Sequence, residues 1–207
     1  MVKIAICGKM ASGKTTMAEW LEINHDFCKF SLAGAVKEFG NFLFDIPSGT
    51  KDRVSYQKVG DGARKFLFED IWIQTMLKAV EKHIGTPYAT HNIVVDDVRY
   101  LNEVEKLKSE GWVLIKINVD DELQLERLKK TYPDTWEVHA EARTHPSESE
   151  VDMIDEGLFD CIVEAEGGKT KEIIESIFEE AILELAEDEK FTMHIKNYSQ
   201  IRNYNSA

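Results

Sequence analysis

The chain has 207 residues, 43% of them hydrophobic and 30% charged, with 25 Lys and Arg against 38 Asp and Glu for a net charge of −13. That length suits one domain with inserted lobes and a sizeable core. An acidic surface of this kind repels nucleic acid and anionic membranes, so neither is expected as a partner, and any anionic ligand has to be held by a few local cations.

The first element expected is a buried strand over Val2–Cys7. It leads straight into Gly8-Lys9-Met10-Ala11-Ser12-Gly13-Lys14-Thr15, after which Thr16–Leu21 has a helical pattern. Strand, G-x-x-x-x-G-K-T, helix is a phosphate-binding loop in its confirming context. Its glycines let the backbone curl round a phosphate chain, and the amides from Gly8 to Thr16 face the anion at a helix N-terminus. Lys14 is expected on the β- and γ-phosphates and the Thr15 hydroxyl on Mg²⁺, so the ligands implied are a nucleoside triphosphate and Mg²⁺. No signal peptide is expected. Cys7, Cys28 and Cys161 are odd in number and lie in apolar runs. They suggest buried thiols in a reducing compartment, hence the cytoplasm.

Four more strands are expected over Phe27–Leu32, Asn92–Val95, Trp112–Asn118 and Asp160–Glu164, and no apolar run is long enough to span a bilayer. Helices are expected over Ala33–Phe44, Ala63–His83, Asn102–Glu110 with Gly111 as its cap, Asp121–Lys130 and Lys169–Leu185. Strands alternating with helices predict an α/β fold, a three-layer α/β/α sandwich on a five-stranded parallel sheet with right-handed crossovers. Residues 33–90 and 120–156 are too long for plain crossovers and are expected to be two mobile lobes over the phosphate loop. The tail, 188–207, is polar; Phe191–Lys196 alternates like an edge strand.

The second constellation is Ile93-Val94-Val95-Asp96-Asp97-Val98-Arg99. In an α/β sheet, ligands bind beyond the carboxyl ends of the strands, so these residues are expected beside the phosphate loop. Asp96 or Asp97 would serve Mg²⁺ through water. Arg99 would face phosphate oxygens with its planar fork. Asn102 and Glu103, three and four residues on, would share its helix face and orient it.

This segment, extended as Tyr100-Leu101-Asn102-Glu103, resembles the D-x-R-x-x-N-E segment of phage-type deoxynucleoside monophosphate kinases. Those enzymes belong to a branch of the P-loop nucleoside monophosphate (NMP) kinases shared with animal-type phosphomevalonate kinases. Three further segments are similar in the same order: Phe30–Lys37, Tyr56–Arg64 with x-Q-x-x-G-x-x-x-R, and Thr144-His145-Pro146-Ser147-Glu148. The resemblance covers about residues 1–185. It departs where the family's last strand runs into Asn-Asp-Gly, since this chain has Glu164-Ala165-Glu166-Gly167-Gly168.

The resemblance implies transfer of the γ-phosphoryl of ATP to a deoxynucleoside monophosphate, an NMP-binding lobe over 33–90 and a LID over 120–156. It implies Lys14, Arg99, Arg127 and Asp97 as catalytic residues. Lys37, Arg64, Trp72, Arg99, Asn102, Glu103, Arg143 and His145 would meet the acceptor, Trp72 by stacking on its base. Arg127, with Lys130 or Arg143, would reach across the phosphates when the LID shuts. The protein would be a monomer or homodimer. The base, and ribose against deoxyribose, stay open. Rival readings are a kinase of a phosphorylated non-nucleotide such as phosphomevalonate, a P-loop ATPase, and a nucleotide-binding switch. No N-K-x-D follows a later strand, which argues against a GTPase.

Overall fold

The computed structural model describes residues 1–44, 53–86 and 92–165. The expected helix over 169–185, Gly167-Gly168 and the tail lie outside the described residues. Among the described residues five strands, β1 (Lys3–Gly8), β2 (Phe27–Phe30), β3 (Asn92–Val98), β4 (Val113–Asn118) and β5 (Cys161–Glu164), form one sheet in the order β2-β3-β1-β4-β5. Every pairing is parallel, as expected.

The sheet's centre is β1, where Ile4, Ala5, Ile6 and Cys7 are all fully buried. A strand buried on both faces needs helices on both sides. Ile4 and Ile6 pack on Met17, Ala18 and Leu21 of α1 (Lys14–His25). Ala5 and Cys7 face the opposite layer, with Val104 and Leu107 of α5 (Leu101–Ser109). The crossovers from β1 to β2 and from β3 to β4 therefore run in opposite directions over opposite faces. That makes the carboxyl ends of β1 and β3 a topological switch point, where such folds bind ligands.

Among the described residues between β2 and β3 are three helices, α2 (Leu32–Phe44), α3 (Arg53–Phe66) and α4 (Ile71–Ile84). The single helix expected over 63–83 is broken here. Phe66, an apolar position of that expected helix, is exposed at the break, as are Leu67 and Phe68. The true apolar face of α3 is Tyr56, Val59 and Ala63, packed on Val36 and Trp72. Gly60 and Gly62 hide it from a propensity argument, since each glycine weakens a helix. At Gly40 of α2 a Cβ would lie 2.9 Å from the Tyr56 ring, so only glycine allows α2 and α3 to approach this closely.

Between β4 and β5 come α6 (Asp121–Thr131), α7 (Trp136–Glu141), α8 (Pro146–Ser149) and three short 3₁₀ turns. Asp120 caps α6 by accepting from the Leu123 N–H at 2.8 Å. Acids in its first turn and Lys129 and Lys130 in its last suit the helix dipole, as expected. Gly111, at φ 73°, follows α5 in the left-handed conformation that ends it. Among the described residues, no helix is long and apolar enough to cross a membrane.

Candidate active site

The loop between β1 and α1 is shaped by three left-handed or extended-positive residues: Gly8 (φ 156°), Ala11 (φ 60°) and Gly13 (φ 112°). At Gly8 there is no space for a side chain, because a Cβ would sit 2.6 Å from the Ile117 carbonyl oxygen and 2.8 Å from Ser12 Oγ. Gly13 opens α1 with no side-chain cap, so the first-turn amides lack an intrahelical acceptor. The Ser12 hydroxyl is buried without a partner among the described residues. Lys14 is also buried, and its Nζ donates to the Lys9 carbonyl across the loop at 2.5 Å. Burial, with help from the nearby Arg99 charge, pulls its pKa down to about 7. Unmet donors, a buried hydroxyl and a desolvated ammonium fit a bound phosphate chain. Thr15 and Thr16 stand exposed at the rim.

The two acids of β3 part company at a bulge. Ala5 of β1 pairs Val95 and Cys7 pairs Val98, so Asp96 and Asp97 together oppose Ile6. Asp96 is buried and lies 3.4 Å from Lys29 Nζ. Asp97 is engaged at the start of α2, where it accepts from Leu32 N–H (2.9 Å), Ala33 N–H (2.8 Å) and Ser31 Oγ (2.6 Å). It serves as the N-terminal cap of a helix from another part of the chain, which leaves Asp96 and the Thr15 hydroxyl as the oxygen donors for a cation. That oxygen donor set suits Mg²⁺.

Beside the loop opens a cavity of about 610 Å³. Lys37 of α2, Arg64 of α3, Arg99 after β3 and His145 before α8 all line it, together with Asp97 and Glu103. Glu103 organises this wall. It is buried, takes the N–H groups of Arg99 (2.9 Å) and Tyr100 (3.2 Å), and pairs with Arg64 Nη2 at 2.9 Å. Burial raises its pKa, and Arg64 opposes that rise. The Arg64 guanidinium also lies over the Tyr100 ring, 4.4 Å from its centroid. The His145 Nδ1 lies 3.2 Å from the Ser147 N and its Nε2 lies 3.2 Å from Asp61 Oδ2 on α3.

Other expected site residues are elsewhere. Trp72 is core: it is 5% exposed, packs with Val36 and Val59, and donates its indole N–H to the Gly60 carbonyl at 3.0 Å, so it cannot stack on a ligand. Asn102 donates to Asp70 at 2.8 Å instead, so of the two residues expected to orient Arg99 it is Glu103 that reaches it, at the backbone N–H. Arg143 pairs with Asp121 at 2.5 Å and is not on the cavity wall. Arg127 meets the phosphate loop from outside, donating to the Ala11 (3.0 Å) and Ser12 (2.9 Å) carbonyls.

Sequence reasoning passed over Tyr56, Tyr100 and Tyr132, which give the cavity aromatic walls, and Asn41 and Gln57, which give it amides. It also gave no role to Glu148, which is 3% exposed and pairs with Arg99. Only its place in the Thr-His-Pro-Ser-Glu string could have singled it out.

No protein-family model matches the chain, and no curated protein matches it in sequence. Solved structures match its fold. A shikimate kinase from Acinetobacter baumannii, in complex with shikimate, superposes with a TM-score of 0.53 at 14% identity, covering 91% of this chain and 96% of that one. An uncharacterized protein from Eubacterium ventriosum gives 0.52 at 11%, covering 86% and 96%. TT1252 from Thermus thermophilus gives 0.50 at 17%, covering 90% and 97%. The five-stranded parallel sheet with helices on both faces is a fold this chain shares with that shikimate kinase.

Proposed function

We propose that this protein is a kinase that transfers the γ-phosphoryl group of Mg-ATP to a deoxynucleoside monophosphate, giving the diphosphate and ADP. The observation that carries the reading is the buried Lys14 loop opening beside a cavity of about 610 Å³ whose wall gathers Lys37, Arg64 and Arg99. Three cations from three elements suit an acceptor that itself carries a phosphate. Tyr56 and Tyr100 offer faces for a base, and Asn41 and Gln57 offer amides for its edge.

In this reading residues 33–90 form the acceptor lobe and 120–156 the lid. The loop amides and Lys14 hold the donor. An acceptor phosphate oxygen attacks the γ-phosphorus as the bond to the β–γ bridging oxygen breaks, and ADP leaves. Catalysis is positioning and charge neutralisation, with no covalent enzyme intermediate. Mg²⁺, held through Thr15 and Asp96, would add charge neutralisation at the phosphate oxygens. Arg99 and Arg64 hold the acceptor phosphate in line, and closure over the cavity keeps water from competing as the nucleophile.

A second reading, a kinase of a non-nucleotide acceptor, is supported by the fold neighbour that holds shikimate. ADP release from Mg-ATP, measured against the four dNMPs, the four NMPs, phosphomevalonate and shikimate, decides between them. Turnover with dNMPs supports the first reading. Turnover with a non-nucleotide alone replaces it, and acceptor-independent release makes the protein an ATPase.

The two acids of β3 separate by the same assay. Asp96→Asn is expected to lower kcat by about 10²-fold and raise the Mg²⁺ concentration needed for half-maximal rate. Asp97→Asn is expected to act on stability, costing about 1–2 kcal/mol in urea unfolding through the lost α2 cap.

A further inference from the structure

The outer half of the phosphate loop is gripped by the segment between β4 and β5. Lys9 Nζ lies 2.8 Å from Asp152 and 3.7 Å from Asp121. The Met10 carbonyl accepts from the fully buried Gln124 Nε2 at 2.9 Å, and the Met10 N–H donates to Glu148 Oε2 at 2.6 Å. Arg127 takes the next two carbonyls, those of Ala11 and Ser12. Four successive loop residues are thus held by side chains of one insertion, and the Met10 peptide is held at both ends.

Glu148 differs from the other grips because it has two tasks. Oε2 takes the Met10 amide, while Oε1 pairs with Arg99 at the end of β3. A buried carboxylate beside an anion site is unfavourable unless both oxygens are satisfied. Here they are satisfied by the loop and by the cavity's central arginine. The contact at Nη1 anchors one arm of the Arg99 fork. Glu148 arrives on α8, whose flanking His145 bridges to Asp61 on the opposite wall.

We propose that Glu148 is a positioning residue that sets the Arg99 guanidinium and the Met10 peptide together, so that lid closure and Arg99 alignment are one event. The proposal rests on the reading of this site as a phosphoryl-transfer centre. Glu148→Gln keeps the size and the acceptor for the Met10 amide but removes the charge facing Arg99. Its kcat is expected to fall about 10- to 100-fold, with the KM for ATP moving less than about threefold. In an Arg99→Ala background the same change is expected to add less than about a twofold loss, because the two residues act as a unit. Should Glu148→Gln not fold, Glu148→Asp, charged but one methylene short of both partners, carries the same expectation.

A readout independent of the acceptor is amide exchange in the loop. Glu148→Ala is expected to speed exchange across residues 9–13 by at least about tenfold, with β1 exchange unchanged as the control for folding. Losses that multiply in the double variant, or a preserved kcat in an active enzyme, overturn the role of Glu148 alone. Loop exchange that stays at the wild-type rate overturns the link to Met10. A wild-type protein inactive toward every phosphorylated acceptor overturns the reading of the site instead.

Discussion

Lys14→Met is expected to lower phosphoryl transfer by about 10³-fold and, at the same time, to raise the melting temperature of the ligand-free protein at neutral pH. Both effects come from one side chain. Lys14 is buried with its ammonium against the Lys9 carbonyl, and burial holds its pKa at about 7 against an ordinary 10.5. Below pH 7 the folded protein carries the full cost of that buried charge. Between 7 and 10.5 the unfolded chain binds a proton that the folded one has released, so stability rises with pH through this window. The methionine variant has no such cost, and its advantage shrinks as pH approaches 10.5. Thermal unfolding at pH 6.5 and pH 9.5 measures this. A variant that is dead and less stable at both would mean that Lys14 is well solvated in the empty site.

The same shift makes donor binding proton-linked. A phosphate chain in the loop favours the charged ammonium, so binding has to raise the Lys14 pKa. At pH 8 the empty site holds mostly neutral lysine, and ATP binding is expected to take up most of a proton. Calorimetry in two buffers of different ionisation heat reads the number directly. Uptake should vanish below about pH 6, where Lys14 is already charged.

What the sequence disclosed follows from how local each feature is. The phosphate loop is legible because its chemistry lies within eight consecutive residues, and Gly8 and Gly13 stand where backbone geometry requires them. The parallel sheet is legible because strands buried on both faces lose the alternation of half-exposed ones. Asp96 and Asp97 are visible as a pair, but their division of labour depends on a bulge between β1 and β3, a register event with no local signature. Trp72 looks like a base-stacking residue until Gly60, twelve positions away, takes its N–H. Glu148 is one acid among 38 in the sequence, and its partners lie 138 and 49 positions back along the chain. Pairings over such distances are set by the fold, and no pattern in the sequence announces them.

Arg64→Leu should cost both stability and turnover, with a pH signature that identifies the cause. Arg64 Nη2 meets Glu103 at 2.9 Å, and Glu103 is 2% exposed. Removing the arginine strands a buried carboxylate, a loss of about 3–5 kcal/mol at neutral pH. Burial already raises the Glu103 pKa above its ordinary 4.5, and without Arg64 to oppose it the rise grows. A carboxyl with a raised folded pKa contributes stability that disappears as pH climbs from its ordinary value through the folded one. The deficit of the variant is therefore larger at pH 8 and narrows as pH falls toward the ordinary carboxyl range, because a protonated Glu103 needs no partner. Urea unfolding of both proteins at pH 5, 6.5 and 8 gives the curve. A deficit that does not change with pH would assign the loss to the Tyr100 ring contact instead. Turnover separates the two arginine roles further. Glu103 positions the Arg99 and Tyr100 amides, so a stranded Glu103 disturbs the phosphate end of the cavity as well. Arg64→Lys, which keeps the charge near Glu103 but not the fork, is expected to recover most of the stability and little of the rate.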